Sequence, residues 1–487
     1  MRPLQIKKGV ELANIGRKRF LIISYSYTPF LNPRSFRWTA IAEKWVQQGG
    51  KVDLVCSWLP GLSRCEVVNG VQVHRVGGGI IEILRSKFSQ ESKSATEDKK
   101  STNSSIVKKS RFKSLIMTAV RLIHDIFWKN LYWPDYACTW IGPASNKALE
   151  LCRTENYSAI ISVSDPFSSH LAGRKVKSDY PQVIWLVDIG DPFCFRDDIP
   201  VNNLSLYKNL NIKVEREIFK EADSISVTCQ PTADEYVELF PEFKNKIEVI
   251  PPLLSITPGQ KRAGSFFPAS NSLRILYIGT LYRSIRSPEF LLKLFAMLSQ
   301  QNPGNRIELH FVGAINRCED LFEQYRQLIG NQIFLHGQVN RNSATCAMEE
   351  ADLLVNIGNG NRYQLPSKIV EYASLGKPIL NLSTIDEDSS QLFLKDYAAS
   401  LNLRCQGKVP SESDVIEVMN FIRGIPYKFD QSYLYELRES FGIEAISESY
   451  SYLLNPGEIH SDSTFFPLES EKENKQYALS EQQERHA

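Results

Sequence analysis

The chain has 487 residues, 43% of them hydrophobic, and a formal net charge of +2. That length exceeds what one hydrophobic core fills, so two domains are expected, and the apolar content excludes a chain without packed cores. The near-neutral charge excludes a nucleic-acid binder driven by bulk charge. Nine scattered cysteines, none in a Cys-x-x-Cys pair, fit reduced thiols in a cytoplasmic protein better than a disulfide framework.

The first 25 residues carry no secretory segment; the apolar run Phe20-Leu21-Ile22-Ile23 is too short and reads as a strand. No run of roughly 18 uncharged apolar residues occurs anywhere, so no membrane span is expected. Residues 19–27 form the first predicted strand, followed by the loop Thr28-Pro29-Phe30-Leu31-Asn32-Pro33. A helix follows from Ser35 through Trp38, Ile41, Ala42 and Trp45, ends near Gly49-Gly50, and leads into a strand over 51–57. This strand–loop–helix–strand order starts a parallel α/β sheet, and apolar runs at 71–76, 159–163, 183–187, 224–228 and 247–250 supply further strands. Residues 85–113, rich in Ser and Lys, interrupt the pattern and read as a mobile loop. Residues 106–133 read as a basic amphipathic helix, with Phe112, Leu115, Ile116, Ala119, Leu122, Ile123, Ile126 and Phe127 at three- and four-residue steps and Lys108, Lys109 and Arg111 at its start.

Residues 256–272 read as a linker that ends an N-terminal domain over 1–255. A second domain over 273–430 shows a cleaner alternation: strands at 273–279, 307–313, 333–339, 351–357 and 378–383, helices at 288–301, 319–329, 341–350, 367–375 and 413–424. This is the pattern of a doubly wound parallel sheet with right-handed crossovers. Residues 431–455 form a C-terminal helix expected to return to the N-terminal domain, and 456–487 a polar tail. Two such domains leave a cleft between the carboxyl ends of their strands, where ligands of open α/β sheets bind.

The most informative stretch is residues 358–378. It begins with the loop Gly358-Asn359-Gly360-Asn361-Arg362-Tyr363-Gln364-Leu365 and continues into a short helix opened by Pro366 and closed before Gly376 and Pro378. The free N–H groups of that helix's first turn suit a diphosphate. Glu371, just over one turn in, suits the vicinal hydroxyls of a ribose. Spacing alone equally allows an ordinary surface helix with one exposed Glu.

Pro366-Ser367-Lys368-Ile369-Val370-Glu371, followed by Gly376-Lys377-Pro378, resembles the donor-binding motif of glycosyltransferase family 4, retaining enzymes of the GT-B fold. The resemblance covers roughly residues 19–80 and 133–385. It implies an α/β chain of two Rossmann-like doubly wound domains facing a cleft. It also implies transfer of a sugar from a nucleotide-sugar co-substrate with retention, metal-free and without another cofactor, and a place in cell-surface polysaccharide synthesis. Glu371 matches the second Glu of a family pair spaced eight apart; the first position holds Tyr363, so its role is either lost or moved to Asn359, Asn361 or a backbone group. Ser367 opens the helix, and Lys368 is either a phosphate contact or a solvated helix charge.

A second match is Gly279-Thr280-Leu281-Tyr282-Arg283-Ser284-Ile285-Arg286, where similar enzymes carry a Gly-rich turn and a basic residue that clamps the leaving diphosphate. Arg286 stands nearest that position and Arg283 next. Breaking a sugar–phosphate bond builds charge on the β-phosphate, which a fixed cation stabilises. His336-Gly337-Gln338-Val339 resembles the turn that approaches the nucleobase, His336 itself reading as structural. In the first β–α loop the family carries a glycine pair; here Asn32-Pro33-Arg34-Ser35 replaces it, so Arg34, Ser35 or Arg37 is expected to take phosphate or acceptor contacts. Ser164-Asp165-Pro166-Phe167-Ser168-Ser169-His170 opens a helix at the cleft, with His170 near the sugar and Asp165 on the acceptor side. Asp188-Ile189-Gly190-Asp191-Pro192-Phe193 resembles an Asp-x-x-Asp-Pro-Trp pattern; Asp191 is the favoured acceptor-side carboxylate and Asp188 the second, although both residues also suit capping of the next turn.

The expected partners are a nucleotide sugar and a glycan or polyprenyl-linked acceptor. The basic helix over 106–133 either lies on an anionic inner leaflet, where Trp128, Tyr132 and Trp133 suit the interface, or packs on the N-terminal domain. Two rival functions share the fold: a nucleotide-sugar 2-epimerase, against which the Pro-Ser-Lys segment argues, and a non-catalytic partner protein, which Tyr363 in place of Glu keeps open.

Overall fold

The computed structural model describes residues 15–30, 32–78, 131–196, 200–254, 256, 264–301, 306–386, 388–405, 409–425, 427 and 431–454. The loop expected over 85–113, all but residues 131–133 of the basic helix, and the polar tail lie outside the described residues.

Buried apolar runs make the strands. In the N-terminal half these are β1 (Arg19–Ser24), β2 (Lys51–Ser57), β3 (Cys65–Val68), β4 (Val71–Val76), β5 (Ala159–Val163), β6 (Ile184–Asp188), β7 (Ser224–Val227) and β8 (Ile247–Val249). They form one sheet in the order β3-β4-β2-β1-β5-β6-β7-β8, with only β3 antiparallel to its neighbour. Because β1, β2, β5 and β6 are buried on both faces, their sequences read as continuous apolar runs rather than alternating ones. Helices α1 (Pro33–Gln47), α2 (Ile141–Thr154), α3 (Ser168–Asp179), α4 (Leu204–Glu221) and α5 (Gln230–Leu239) follow their strands. Asn32 starts α1: its side chain accepts the Ser35 N–H at 2.8 Å, and Pro33 occupies the first turn, where no donor is needed.

The second sheet contains β9 (Leu273–Ile278), β10 (Ile307–Val312), β11 (Ile333–Leu335), β12 (Leu353–Ile357), β13 (Ile379–Ser383) and β14 (Ser400–Arg404), all parallel, in the order β11-β10-β9-β12-β13-β14. Its helices are α6 (Glu289–Gln301), α7 (Glu319–Glu323), α8 (Arg341–Glu350), α9 (Ser367–Ser374), α10 (Ser389–Phe393) and α11 (Glu412–Arg423). Three details differ from expectation. The strand expected over 333–339 stops at Leu335, because Gly337 turns the chain with φ of 67°. The helix expected over 319–329 ends at Glu323 and continues as turns. A sixth strand, β14, pairs at the sheet edge, half-buried and without the long apolar run that marks the central strands.

In both sheets strand order reverses between the first strand and the fourth of the parallel series, β1 beside β5 and β9 beside β12. A doubly wound sheet opens its binding crevice at that switch point, at the carboxyl ends of the strands.

The C-terminal segment is two helices rather than one. α12 (Gln431–Ser440) packs Leu434 and Leu437 into the second domain and donates Arg438 Nε to Ser374 O at 2.8 Å. The chain breaks at Gly442, and α13 (Ile443–Leu453) buries Ile446, Tyr450 and Leu453 among Trp38, Trp45 and Ile41 of the first domain. Trp45 Nε1 donates to Ser447 O at 3.4 Å and Lys44 pairs with Glu444 at 2.7 Å. The expected linker over 256–272 is packed where described: Glu350 accepts the Phe266 and Phe267 N–H groups, and Phe267 is buried against His310.

Candidate functional site

At the second switch point the strands end in glycines. β9 runs into Gly279, β10 into Gly313 and β12 into Gly358. Gly313 has φ of 133°, and a Cβ there would fall 2.0 Å from Gly279 O, so the two strand ends approach closely only because no side chain intervenes. Helix α9 locks onto this edge. Tyr372 is buried, its hydroxyl accepting the Ile278 N–H at 3.2 Å and donating to Ile278 O at 3.3 Å. That tie fixes the second turn of α9 against the end of β9, and a tyrosine directly after Glu371 is the signal for it in the chain.

Arg286 reaches across the crevice. Its Nε donates to Asn359 Oδ1 at 2.7 Å, joining the loop after β9 to the loop after β12, while its backbone pairs with Tyr282. Arg283 points elsewhere: it is exposed and ion-pairs with Asp320. Glu371 is buried, accepts Lys368 Nζ at 2.5 Å and lies 3.8 Å from Arg341 Nη2. Arg341, which sequence reasoning missed, opens α8 and stacks its guanidinium 4.7 Å from the Phe36 ring of the other domain. Lys368 is therefore tied to Glu371. Ser367 begins α9, and Pro366 supplies no side-chain cap. His336 Nε2 lies 3.0 Å from His310 Nδ1 and its ring 5.0 Å from Phe266; burial lowers its pKa, and the residue sits in an aromatic cluster, as a structural histidine would.

The first domain's crevice is filled from within. Asp188, at the end of β6, is buried and accepts four hydrogen bonds: from Ser226 Oγ (2.8 Å) and Tyr450 OH (2.7 Å) on Oδ1, and from Trp38 Nε1 (2.7 Å) and Arg34 Nη1 (3.2 Å) on Oδ2. Burial pushes its pKa up, but Arg34, Arg37 and these donors outweigh that and hold it below the ordinary carboxylate range. Arg37 is equally committed, to Tyr450 OH, Pro251 O and Ile250 O, and Ser35 is buried in the first turn of α1. Asp188, Arg37 and Ser35 are thus buried, and the polar groups of Asp188 and Arg37 are bonded within the protein. The reason is distance along the chain: their partners on α13 and after β8 join them only on folding. Arg34 covers Gly190, where a Cβ would fall 1.9 Å from its Nε.

His170 is buried on α3. Ser162 Oγ, which accepts Trp185 Nε1 at 2.9 Å, lies 2.8 Å from its Nδ1, while the buried Nε2 has no hydrogen-bond partner among the described residues. Burial lowers its pKa to about 3, so the ring is neutral near pH 7. Asp165 keeps 36% of its side chain exposed, and burial of the rest, with Asp191 and Asp135 nearby, raises its pKa to about 7 against Arg196 and Arg34. Arg196, also missed from the sequence, lies 3.3 Å from Asp191 and 3.7 Å from Asp165.

The two sides meet through the loop before α9. Thr232 Oγ1 and Cys229 Sγ donate to Tyr363 O at 2.6 and 3.3 Å, and the Tyr363 ring stands edge-on to Phe195 at 5.1 Å. Asn361 is buried and donates Nδ2 to Gln364 Oε1 at 3.4 Å. Among the described residues no cluster of three or more His, Cys, Asp or Glu side chains could hold a metal ion, and no helix is long and apolar enough to cross a membrane.

A search of curated proteins finds no match. Solved structures similar over most of the chain include sucrose-phosphate synthase from Thermosynechococcus elongatus (16% identity, TM-score 0.59, 90% of this chain and 98% of that one) and TarM (10%, 0.56, 90% and 98%). The N-terminal domain of trehalose-6-phosphate phosphatase from Candida albicans is similar too (11%, 0.54, 90% and 96%). At these identities the likeness speaks for the fold. The chain therefore has the GT-B fold of two Rossmann-like domains, and residues 272–390, which hold both loops of the second crevice, match the family model of glycosyl transferases group 1.

Proposed function

We propose that the protein transfers a sugar from a nucleotide-sugar donor to an acceptor hydroxyl, with the nucleotide diphosphate seated in the crevice between β9 and β12. The observation that carries this reading is the Arg286–Asn359 bridge at 2.7 Å, beside the opening turn of α9 and its buried Glu371. A cation held over the switch point meets the charge that develops on the leaving β-phosphate, and the free N–H groups of α9 face the same anion. Glu371 releases Lys368 to accept the ribose hydroxyls, and the freed ammonium adds a charge near the diphosphate. The acceptor approaches from the Asp165–Asp191–Arg196 side, with His170 buried on the helix that follows Asp165. Attack from the same face as departure, within an ion pair, retains the anomeric configuration. The acceptor is a glycan or a polyprenyl-linked sugar of a cell-surface polysaccharide, presented at the inner leaflet.

Incubating the purified protein with UDP-, GDP- and ADP-sugars tests the reading. Slow release of nucleoside diphosphate from one donor is expected. Conversion of one nucleotide sugar into another, or binding without turnover, would replace it with the epimerase or partner-protein function.

A further inference from the structure

We propose that Gln364 is a positioning residue that carries the order of the donor loop across the cleft to Asp191. The inference rests on reading the second crevice as a nucleotide-sugar site, and it assigns a role to a residue that no motif singles out.

Three consecutive residues of the donor loop reach the first domain, each by different chemistry. Arg362 pairs with Glu235 on α5 at 2.6 Å. Tyr363 is held through its carbonyl by Thr232 and Cys229 and through its ring by Phe195. Gln364 donates Nε2 to Asp191 Oδ1. Only the third contact ends on a carboxylate at the cleft. The backbone of Gln364 is fixed as well, its carbonyl accepting Ser389 Oγ at 2.5 Å from the start of α10. Its side chain is read at both ends, since Oε1 accepts Asn361 Nδ2 while Nε2 donates to Asp191. An amide is the group this arrangement requires, because a carboxylate cannot donate and an amine cannot accept.

The second oxygen of Asp191 takes Arg196 Nη1 at 3.3 Å, so one carboxylate is oriented by a neighbour from each domain. The loop that supplies Gln364 also supplies Asn359, the partner of Arg286. One short segment, 359–364, therefore couples the diphosphate clamp to the carboxylate on the acceptor side. A donor that orders this loop through Arg286 and Asn359 sets the direction of Asp191 in the same event. This also accounts for Tyr363 where the family resemblance leads one to expect a carboxylate: the position serves docking between domains.

The test uses the full chain, the donor found by the nucleotide-sugar panel, and water as the acceptor. Gln364→Ala is expected to lower kcat for donor hydrolysis about tenfold, the effect of losing one charge-assisted hydrogen bond, and to leave the calorimetric Kd for the donor within about twofold. The double variant Gln364→Ala/Asp191→Ala should lose no more than Asp191→Ala alone, because Gln364 acts through Asp191. Gln364→Glu places two carboxylates face to face, so its kcat should recover toward wild type as pH falls from about 8 to about 6, where a shared proton restores the donor. Unchanged kcat in Gln364→Ala, multiplicative losses in the double variant, or a Gln364→Glu profile parallel to wild type would each overturn the proposal while the donor-site reading stands. A wild-type protein that turns over no donor in the panel would take both down.

Discussion

At the ends of β1, β5 and β6 the first sheet meets its own side chains, whereas at the ends of β9, β10 and β12 the second sheet ends in Gly279, Gly313 and Gly358. Both sheets reverse strand order at the same place, so topology offers a crevice to each. In the first, Asp188 collects donors from α1, β7 and α13, and Tyr450 plugs the crevice from about 400 residues beyond Arg37 in sequence. In the second, Gly279, Gly313 and Gly358 place no side chain of their own at the strand ends, and Arg286 and Asn359 meet across the gap. The comparison teaches that a switch point becomes a site through what is kept out of it. One domain used its crevice to anchor the returning chain, and the other left its crevice open.

The largest expected effect breaks the sealed side. Asp188→Ala strands four donors in a buried position and should cost roughly 3–5 kcal/mol of unfolding free energy in a denaturant titration. A loss under about 1 kcal/mol would mean that this crevice is not sealed by Asp188. On the open side, Arg286→Ala and Glu371→Ala should each lower kcat/KM for donor turnover at least about tenfold. Full activity in both would end the distinction between the two crevices.

A third effect sharpens the comparison through pH. His170, with a folded pKa of about 3 against an ordinary 6.5, stays neutral in the fold while the unfolded chain takes up a proton. A depressed folded value means stability that is present above about pH 6.5 and lost as pH falls toward 3, by roughly 1 kcal/mol per pH unit in that window. His170→Gln should flatten that acid-side slope; an unchanged slope would show that the ring is not held neutral.

The regular skeleton was legible because buried parallel strands write themselves as apolar runs: Phe20-Leu21-Ile22-Ile23 and Leu353-Leu354-Val355 need no partner to be read. α9 was legible for a similar local reason, a proline at one end and a glycine at the other. What could not be read was which polar residues face solvent. Arg37 and Asp188 look like ligand-binding groups until Tyr450, 413 and 262 residues away, is brought against them. Arg196 and Arg341 carry no motif, and only the fold sets them beside Asp191 and Glu371. The glycine between two aspartates, Gly190, was a visible mark of close packing, but the group packed on it, Arg34, was not.

The central claim is that the crevice between β9 and β12, rather than the one between β1 and β5, takes the nucleotide diphosphate. A crystal soaked with UDP, GDP and ADP in turn tests this most directly. The expected result is one nucleotide with its phosphates between Arg286 and the first turn of α9 and its ribose hydroxyls on Glu371, displacing Lys368. A diphosphate at the ends of β1 and β5, or a Glu371 still paired with Lys368 in every soak, would contradict it.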